Sequence, residues 1–253
     1  MYPNPLKQKI KNGELILGTS YPVPHPVLAG FMSTMNADFA WLDTEHAPHG
    51  TESLGAIPVL LRQQGVAPLI RVPWNDPALI KKAYDIGAVA VMIPQIETVE
   101  EAEQAVQYAK YPPEGNRGVS PNWPRIAGED WNQVIKTANE ETVLILQIES
   151  VKAYENLDDM KNVSGVDAFF LGPTDMSASV GKITEINSPE VQEIIKGMPQ
   201  KLQGSGIASA SLSSDLADMQ KKIDWGYTVL SVGNLMAYGA QMVKEQIDTL
   251  RKG

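Results

Sequence analysis

The chain has 253 residues, 43% of them hydrophobic and 20% charged, which suits one or two globular domains with a real core. Its net charge of −9 argues against nucleic acid as a partner, since that needs clustered Lys and Arg, and requires any anionic substrate to be met by a local positive feature such as one arginine or a metal. There is no cysteine, so disulfides, zinc–thiolate sites and thiol catalysis are excluded; the stretch from Met1 to Lys11 lacks the apolar core of a signal peptide, and no run approaches the ~20 apolar residues of a membrane span, so a cytoplasmic protein without membrane association is expected.

Residues 4–12 read as a short basic helix closed by Gly13, and Leu15–Thr19 as the first strand. A helix over Pro26–Met35 leads to the second strand, Phe39–Asp43, and a helix over Thr51–Gln64 to the third, Pro68–Val72. Asp76-Pro77 supplies a cap and first turn for a helix reaching Ile86, followed by the strand Val89–Ile93. Thr98–Tyr111 opens on acidic residues that suit a helix N-terminus. Pro112–Asp130 is a long Pro/Gly-rich loop, of a length that is often functional. The helix Trp131–Glu140 and the strand Val143–Ile148 come next, then the helix Val151–Lys161 and the strand Val166–Leu171. Pro189–Gln203, Ile207–Leu212, Ser214–Trp225, Thr228–Val232 and Met236–Arg251 continue the alternation to the end. Eight strands alternating with helices, with no shift in composition and no glycine-rich dinucleotide turn, predict a single (β/α)8 TIM barrel over residues 1–253.

In such a barrel the chemistry sits where the strands end. The second strand ends in Asp43-Thr-Glu45-His46, the third in Arg71, and the fifth in Gln147-Ile-Glu149; Gly172-Pro-Thr-Asp175 follows the sixth. Side chains alternate along a strand, so Gln147 and Glu149 point the same way. Two carboxylates on neighbouring tips, Glu149 and Asp175, make a site for a hard cation such as Mg²⁺ or Mn²⁺, which leaves its other positions to water or substrate oxygens. Of the three histidines, His25 lies between prolines and reads as structural, His49 reads as a surface loop residue, and His46 follows two acids on a strand tip, where an acid/base role fits. Arg71 ends an apolar strand, so its guanidinium must find an anion, either a structural partner or a substrate.

The segments Leu42-Asp-Thr-Glu-His-Ala-Pro, Arg71-Val-Pro-Trp-Asn-Asp-Pro, Tyr111-Pro-Pro-Glu-Gly-Asn-Arg-Gly-Val, Gln147-Ile-Glu and Leu171-Gly-Pro-Thr-Asp-Met-Ser closely resemble, in order, the HpcH/HpaI aldolase family of metal-dependent (class II) pyruvate aldolases. The resemblance implies a (β/α)8 barrel whose last helix is exchanged between subunits of a hexamer. It implies His46 as general base, Arg71 as the cation that stabilises the enolate, and Glu149 and Asp175 as ligands of Mg²⁺ or Mn²⁺, with Co²⁺ as a further option. Gln147 falls at a pyruvate contact, Gly172, Pro173 and Thr174 where the pyruvate carboxylate is held, and Leu212 at an apolar pocket position. Asp85 matches a position that raises the basicity of the histidine. It ends a helix just before a strand, so within one chain it should lie at the face opposite His46 and could serve that histidine only across a subunit contact; Asp43 is the local alternative.

Under this reading pyruvate, or oxaloacetate after loss of carbon dioxide, and an aldehyde are the small-molecule substrates. After the Arg117-Gly-Val motif the chain departs from the family pattern: Trp123 could wall the aldehyde pocket and Arg125 clamp a distal carboxylate, or Trp123 could pack the loop down and Arg125 face solvent. Two other readings remain open. One is an acyl-CoA lyase of the citramalyl- or malyl-CoA type, which should need a basic groove; the other is a non-catalytic barrel that binds a 2-oxo acid.

Overall fold

The computed structural model describes residues 3–252. Its eight strands are β1 (Ile16–Ser20), β2 (Phe39–Asp43), β3 (Ala67–Arg71), β4 (Ala90–Ile93), β5 (Val143–Ile148), β6 (Ala168–Leu171), β7 (Ala208–Ser213) and β8 (Val229–Asn234). Each pairs in parallel with the next in sequence, and β8 closes back on β1 through Ile16 opposite Val229, giving a closed barrel. This is the (β/α)8 architecture that the alternation predicts.

The two-residue period of each strand sorts its side chains between two cores. Inside the barrel lie Phe39 and Trp41 of β2, Ala67 and Leu69 of β3, Val143 and Ile145 of β5, Ala168 and Phe170 of β6, and Ala208 and Ala210 of β7. The intervening residues, such as Leu42, Ile70, Leu144, Leu146, Phe169 and Leu171, pack outward under the helices. Continued by one step, the inward rows end in Asp43, Arg71, Gln147, Gly172 and Leu212. The interior is thus apolar up to its last layer, and the polar residues of that layer share one mouth.

The opposite mouth is plugged. The helix Pro5–Asn12 places Leu6 in the interior cluster, and the fully buried Asn4 that caps it donates to the carbonyls of Val89 (3.0 Å) and Glu141 (2.7 Å).

Several helices differ from the predicted spans. The Thr51–Gln64 segment breaks into Thr51–Leu54 and Ile57–Gln63, because Gly55 takes φ +50° and Pro58 restarts the helix at its first turn. The segment Val151–Lys161 likewise divides into Val151–Glu155 and Leu157–Met160. The long loop contains a one-turn helix, Trp123–Ala127, that ends on left-handed Gly128. A helix absent from the sequence reading, Pro173–Ser179, starts directly after β6 and puts Asp175 in its first turn. Every residue of the last helix, Leu235–Lys252, remains outside the core.

Candidate active site

Asp43 and Arg71 stand opposite each other in the β2–β3 register, and both point into the barrel mouth. Their contact is bidentate: Arg71 Nε donates to Asp43 Oδ1 at 2.9 Å and Nη2 to Oδ2 at 2.7 Å. The remaining terminal nitrogen, Nη1, lies 2.9 Å from Glu45 Oε2, an ion pair not aligned as a hydrogen bond. The guanidinium is buried and sits 4.8 Å above the ring of Trp41, which meets Phe170 edge-on at 5.4 Å to form the floor of the mouth. Burial pushes the Asp43 carboxyl up, but the hydrogen bonds and charge of Arg71 outweigh it and hold the group below the usual carboxylate range. Glu45 moves the other way: burial raises it, against the pull of Arg71 and His46.

His46 projects into solvent, its side chain 65% exposed, with Nε2 3.7 Å from Glu45 Oε2. Glu45 is thus an acid beside the imidazole, while Asp43, held by Arg71, acts on His46 electrostatically. The strand-tip pattern points to Asp43 as the local partner of the imidazole, and the structure adds Glu45. The signal was the two-residue spacing: Asp43 and Glu45 flank the same guanidinium, and both bear on it.

Across the mouth, Glu149 is buried and clamped on three sides. Its Oε1 accepts from Gln147 Nε2 at 2.8 Å, and its Oε2 from the backbone N–H of Gln95 at 3.0 Å. Gly172 closes the third side, since a Cβ there would stand 2.9 Å from Oε1. Burial pushes Glu149 up to about 7; the Gln95 hydrogen bond and Arg71 pull against this, while Asp175 and Glu45 add repulsion. Asp175 itself is exposed, in the first turn of Pro173–Ser179. Gly172 brings no capping side chain to that helix, so its first amides are open to an anion beside Thr174. Leu212 is half-buried against the interior cluster. A cavity of about 370 Å³ runs from Glu149 and Asp175 past Gln95 and Glu97 to Trp74.

The chemistry of the donor set fits a divalent cation. Glu149, Asp175, Glu45 and Arg71 act on one another electrostatically, and the carboxylates outnumber the single cation. Gln147 Oε1 is buried with no hydrogen-bond partner, an acceptor left for something absent from the chain. No cluster of three or more His, Cys, Asp or Glu that could hold a metal occurs among the described residues. The two-carboxylate pair therefore suits an ion that takes further oxygens from water or substrate, and not a closed structural site.

Asp85 lies elsewhere, at the C-terminus of the helix Pro77–Asp85 that leads into β4, and so at the plugged face. Its Oδ1 is buried without a hydrogen-bond partner, and burial raises its carboxyl to about 6 against the pull of Arg117, Lys81 and Lys82. Within the chain the long loop packs away from the open mouth. Trp123 is buried under Arg62, whose guanidinium carbon stands 3.6 Å from the ring centroid, and exposed Arg125 stacks on Trp131. Gly87, at the foot of β4, touches Trp123, so this loop packs at the plugged face of its own chain.

The model of the HpcH/HpaI aldolase/citrate lyase family matches residues 21–237. The 5-keto-4-deoxy-D-glucarate aldolase of Escherichia coli O139:H28 is 32% identical over 254 residues, spanning 100% of this chain and 98% of that protein. Among solved structures, the HpcH/HpaI aldolase from Desulfitobacterium hafniense DCB-2 superposes with a TM-score of 0.89 at 29% identity, covering 98% of this chain and 97% of that one. A family protein from Burkholderia cenocepacia J2315 gives 0.91 at 26% identity, with 98% and 99% covered.

Proposed function

The chain belongs to the HpcH/HpaI aldolase/citrate lyase family, and on that premise we propose that it is a divalent-metal-dependent aldolase, a carbon–carbon lyase that joins pyruvate to an aldehyde or cleaves the resulting 4-hydroxy-2-oxo acid. The observation that carries this reading is the meeting of one buried guanidinium, Arg71, with the clamped carboxylate Glu149 and with Asp175, Glu45 and His46 at a single barrel mouth. Glu149 and Asp175 would hold Mg²⁺, Mn²⁺ or Co²⁺. When bound, such an ion supplies Lewis-acid stabilisation of negative charge on the keto oxygen.

The chain's own groups do the rest. The open first-turn N–H groups of Thr174 and Asp175, which follow Pro173, receive the substrate carboxylate, and Gln147 orients the keto acid from the barrel interior. Arg71 is held at a fixed angle by Asp43 and donates to the oxygen that becomes negative. In cleavage, His46 takes the proton of the 4-hydroxyl, the C3–C4 bond breaks, and its electrons pass into the pyruvate enolate as the aldehyde leaves. The same imidazole then delivers a proton to C3. Leu212 packs the apolar side of the pocket, and Trp74 walls the cavity on the side open to an aldehyde. That cavity is lined by carboxylates and carries no Lys or Arg, which disfavours an acyl-CoA and its phosphates. Decarboxylation of oxaloacetate would enter the same enolate.

The test pairs Arg71→Ala with Glu149→Gln. Each is expected to lower aldol cleavage, and the exchange of pyruvate methyl protons with deuterium oxide, by about a hundred- to thousandfold. Near-normal exchange in either variant would remove the mechanism.

The same reading makes the protein a homo-oligomer, a hexamer by its family resemblance. The last helix exposes Met236 (52%), Met242 (63%), Val243 (55%) and Ile247 (43%), and Phe31 (56%) of Val27–Thr34 and Leu216 (86%) of Leu216–Trp225 are also uncovered. A monomer seldom leaves so much apolar surface in water, and the last helix of a second copy would cover it. In that assembly Asp85 of one subunit could reach His46 of another.

A further inference from the structure

Where β4 ends, the chain does something that L-residues avoid. Gln95 takes φ +54°, in the left-handed region where its Cβ crowds the backbone. Glycine adopts this conformation freely and Asn or Asp tolerate it; a glutamine has no local compensation. The conformation survives because its neighbours are pinned. Ile96 is buried and donates its N–H to the carbonyl of Gln147 at 3.3 Å. Glu97 accepts from Ser150 Oγ at 2.6 Å and from Lys152 Nζ at 3.0 Å, and its carbonyl accepts from Asn156 Nδ2 at 2.7 Å. The N–H groups of Glu97 and Thr98 both donate to Glu101 Oε2. Such over-determined backbone strain gathers at functional sites. Here its one visible product is the direction of an amide: the Gln95 N–H points at Glu149 Oε2, 3.0 Å away.

We propose that Gln95 is a positioning residue of the metal site, whose left-handed backbone turns its N–H onto Glu149 and fixes the orientation of that carboxylate. This rests on Glu149 being a metal ligand, as proposed above. A free glutamate carboxylate rotates about its last torsion and can offer a cation either oxygen or none. With Oε2 tied to the Gln95 amide and Oε1 to Gln147 Nε2, the plane of the group is set and each oxygen keeps a lone pair for the cation. The Gln95 side chain is not needed for this; it is exposed and lines the cavity that runs to Trp74. The requirement is a residue with an N–H that accepts a positive φ.

The full-length protein can be tested by titrating Mn²⁺ and counting free ion by electron paramagnetic resonance, with melting of the metal-free protein measured in parallel. Gln95→Val keeps the N–H but resists the left-handed region, and Gln95→Pro lacks the N–H altogether. Both are expected to weaken Mn²⁺ binding by about tenfold or more, the effect of one lost hydrogen bond to a charged group. Gln95→Gly keeps the N–H and the φ, and is expected to bind at least about tenfold more tightly than Gln95→Val. If the proline variant does not fold, the comparison of valine with glycine decides. Wild-type affinity in Gln95→Val, or equal weakening in Gln95→Gly and Gln95→Val, would overturn the proposal. Glu149→Gln separates the two levels. If it loses Mn²⁺ while Gln95→Val keeps it, only the role of Gln95 falls; if Glu149→Gln itself binds Mn²⁺ normally, the metal-site reading falls and takes this proposal with it.

Discussion

Glu149 is asked to be buried and to be charged, and these demands oppose each other. Without a cation, burial wins and its carboxyl rises from an ordinary 4.5 to about 7. The linkage follows from the proton count. Between those two values the folded chain holds a proton on Glu149 that the unfolded chain has lost, so this group's stabilising contribution is complete below about 4.5 and disappears as pH rises through about 7. The cost to the metal-free protein above that range is of the order of 3 kcal/mol. A divalent ion competes with the same proton. The increase in melting temperature on adding Mn²⁺ is therefore expected to grow from about pH 6 to about pH 8, and to be small and flat in Glu149→Gln. Gly172 gives a second check on the clamp. Alanine there would bring a Cβ to 2.9 Å from Glu149 Oε1, and the carboxylate would have to swing away. Gly172→Ala is expected to lower Mn²⁺ affinity by about tenfold or more, with at most a modest change in stability.

The elements differ in how plainly their residues announce them. β2 was readable to the residue, because Phe39–Asp43 is an apolar run that stops at an acid and the pleat then fixes which side chains face the mouth. The same reasoning placed Arg71 and Gln147. It stopped short at Glu45, one step past the strand, where no period constrains direction. Gln95 was invisible for a different reason: nothing in Ile93-Pro-Gln-Ile gives the sign of a backbone angle that depends on contacts with Gln147, Ser150 and Asn156. The helix Pro173–Ser179 does carry a signal, a proline at its first position and Asp175 in its first turn, but two turns are too short for an apolar period to show. The last helix was legible as a helix and ambiguous as to what it covers. Its apolar face makes the ambiguity testable. Met242→Asp together with Ile247→Asp places charge on a surface that needs no partner in a monomer and would be buried against a second copy in an oligomer. The doubly substituted protein is expected to run as a smaller species on size-exclusion chromatography with light scattering, and to lose activity if His46 depends on a neighbour's Asp85. A wild type that already runs as a monomer would dispose of the assembly.

Taken whole, the barrel keeps its two ends for different work. At the open end the inward rows finish in polar residues: Asp43 and Arg71 hold each other, and Gln147 donates to Glu149, so this layer supplies charge and hydrogen bonds more than packing. At the other end the rows begin on apolar residues sealed by Leu6, Asn4 and a salt bridge from Lys7 to Asp167 at 2.5 Å. Leu6 is 3% exposed and touches the layer that holds up Trp41 and Phe170, the floor on which Arg71 rests. Leu6→Ala should therefore leave a cavity in a region that cannot collapse, since the surrounding strands are tied into a closed ring, and cost about 2–5 kcal/mol of unfolding free energy. The site lies beyond the layer of Trp41 and Phe170, and packed cores give discrete losses more readily than graded deformations. The expected pattern is a lower urea midpoint with the denaturant slope, KM for the keto acid and kcat all close to those of the wild type at temperatures well below the transition. A fall in kcat at full occupancy of the folded state would mean that the floor transmits strain from one mouth to the other, and that the division of labour between the two ends is not kept.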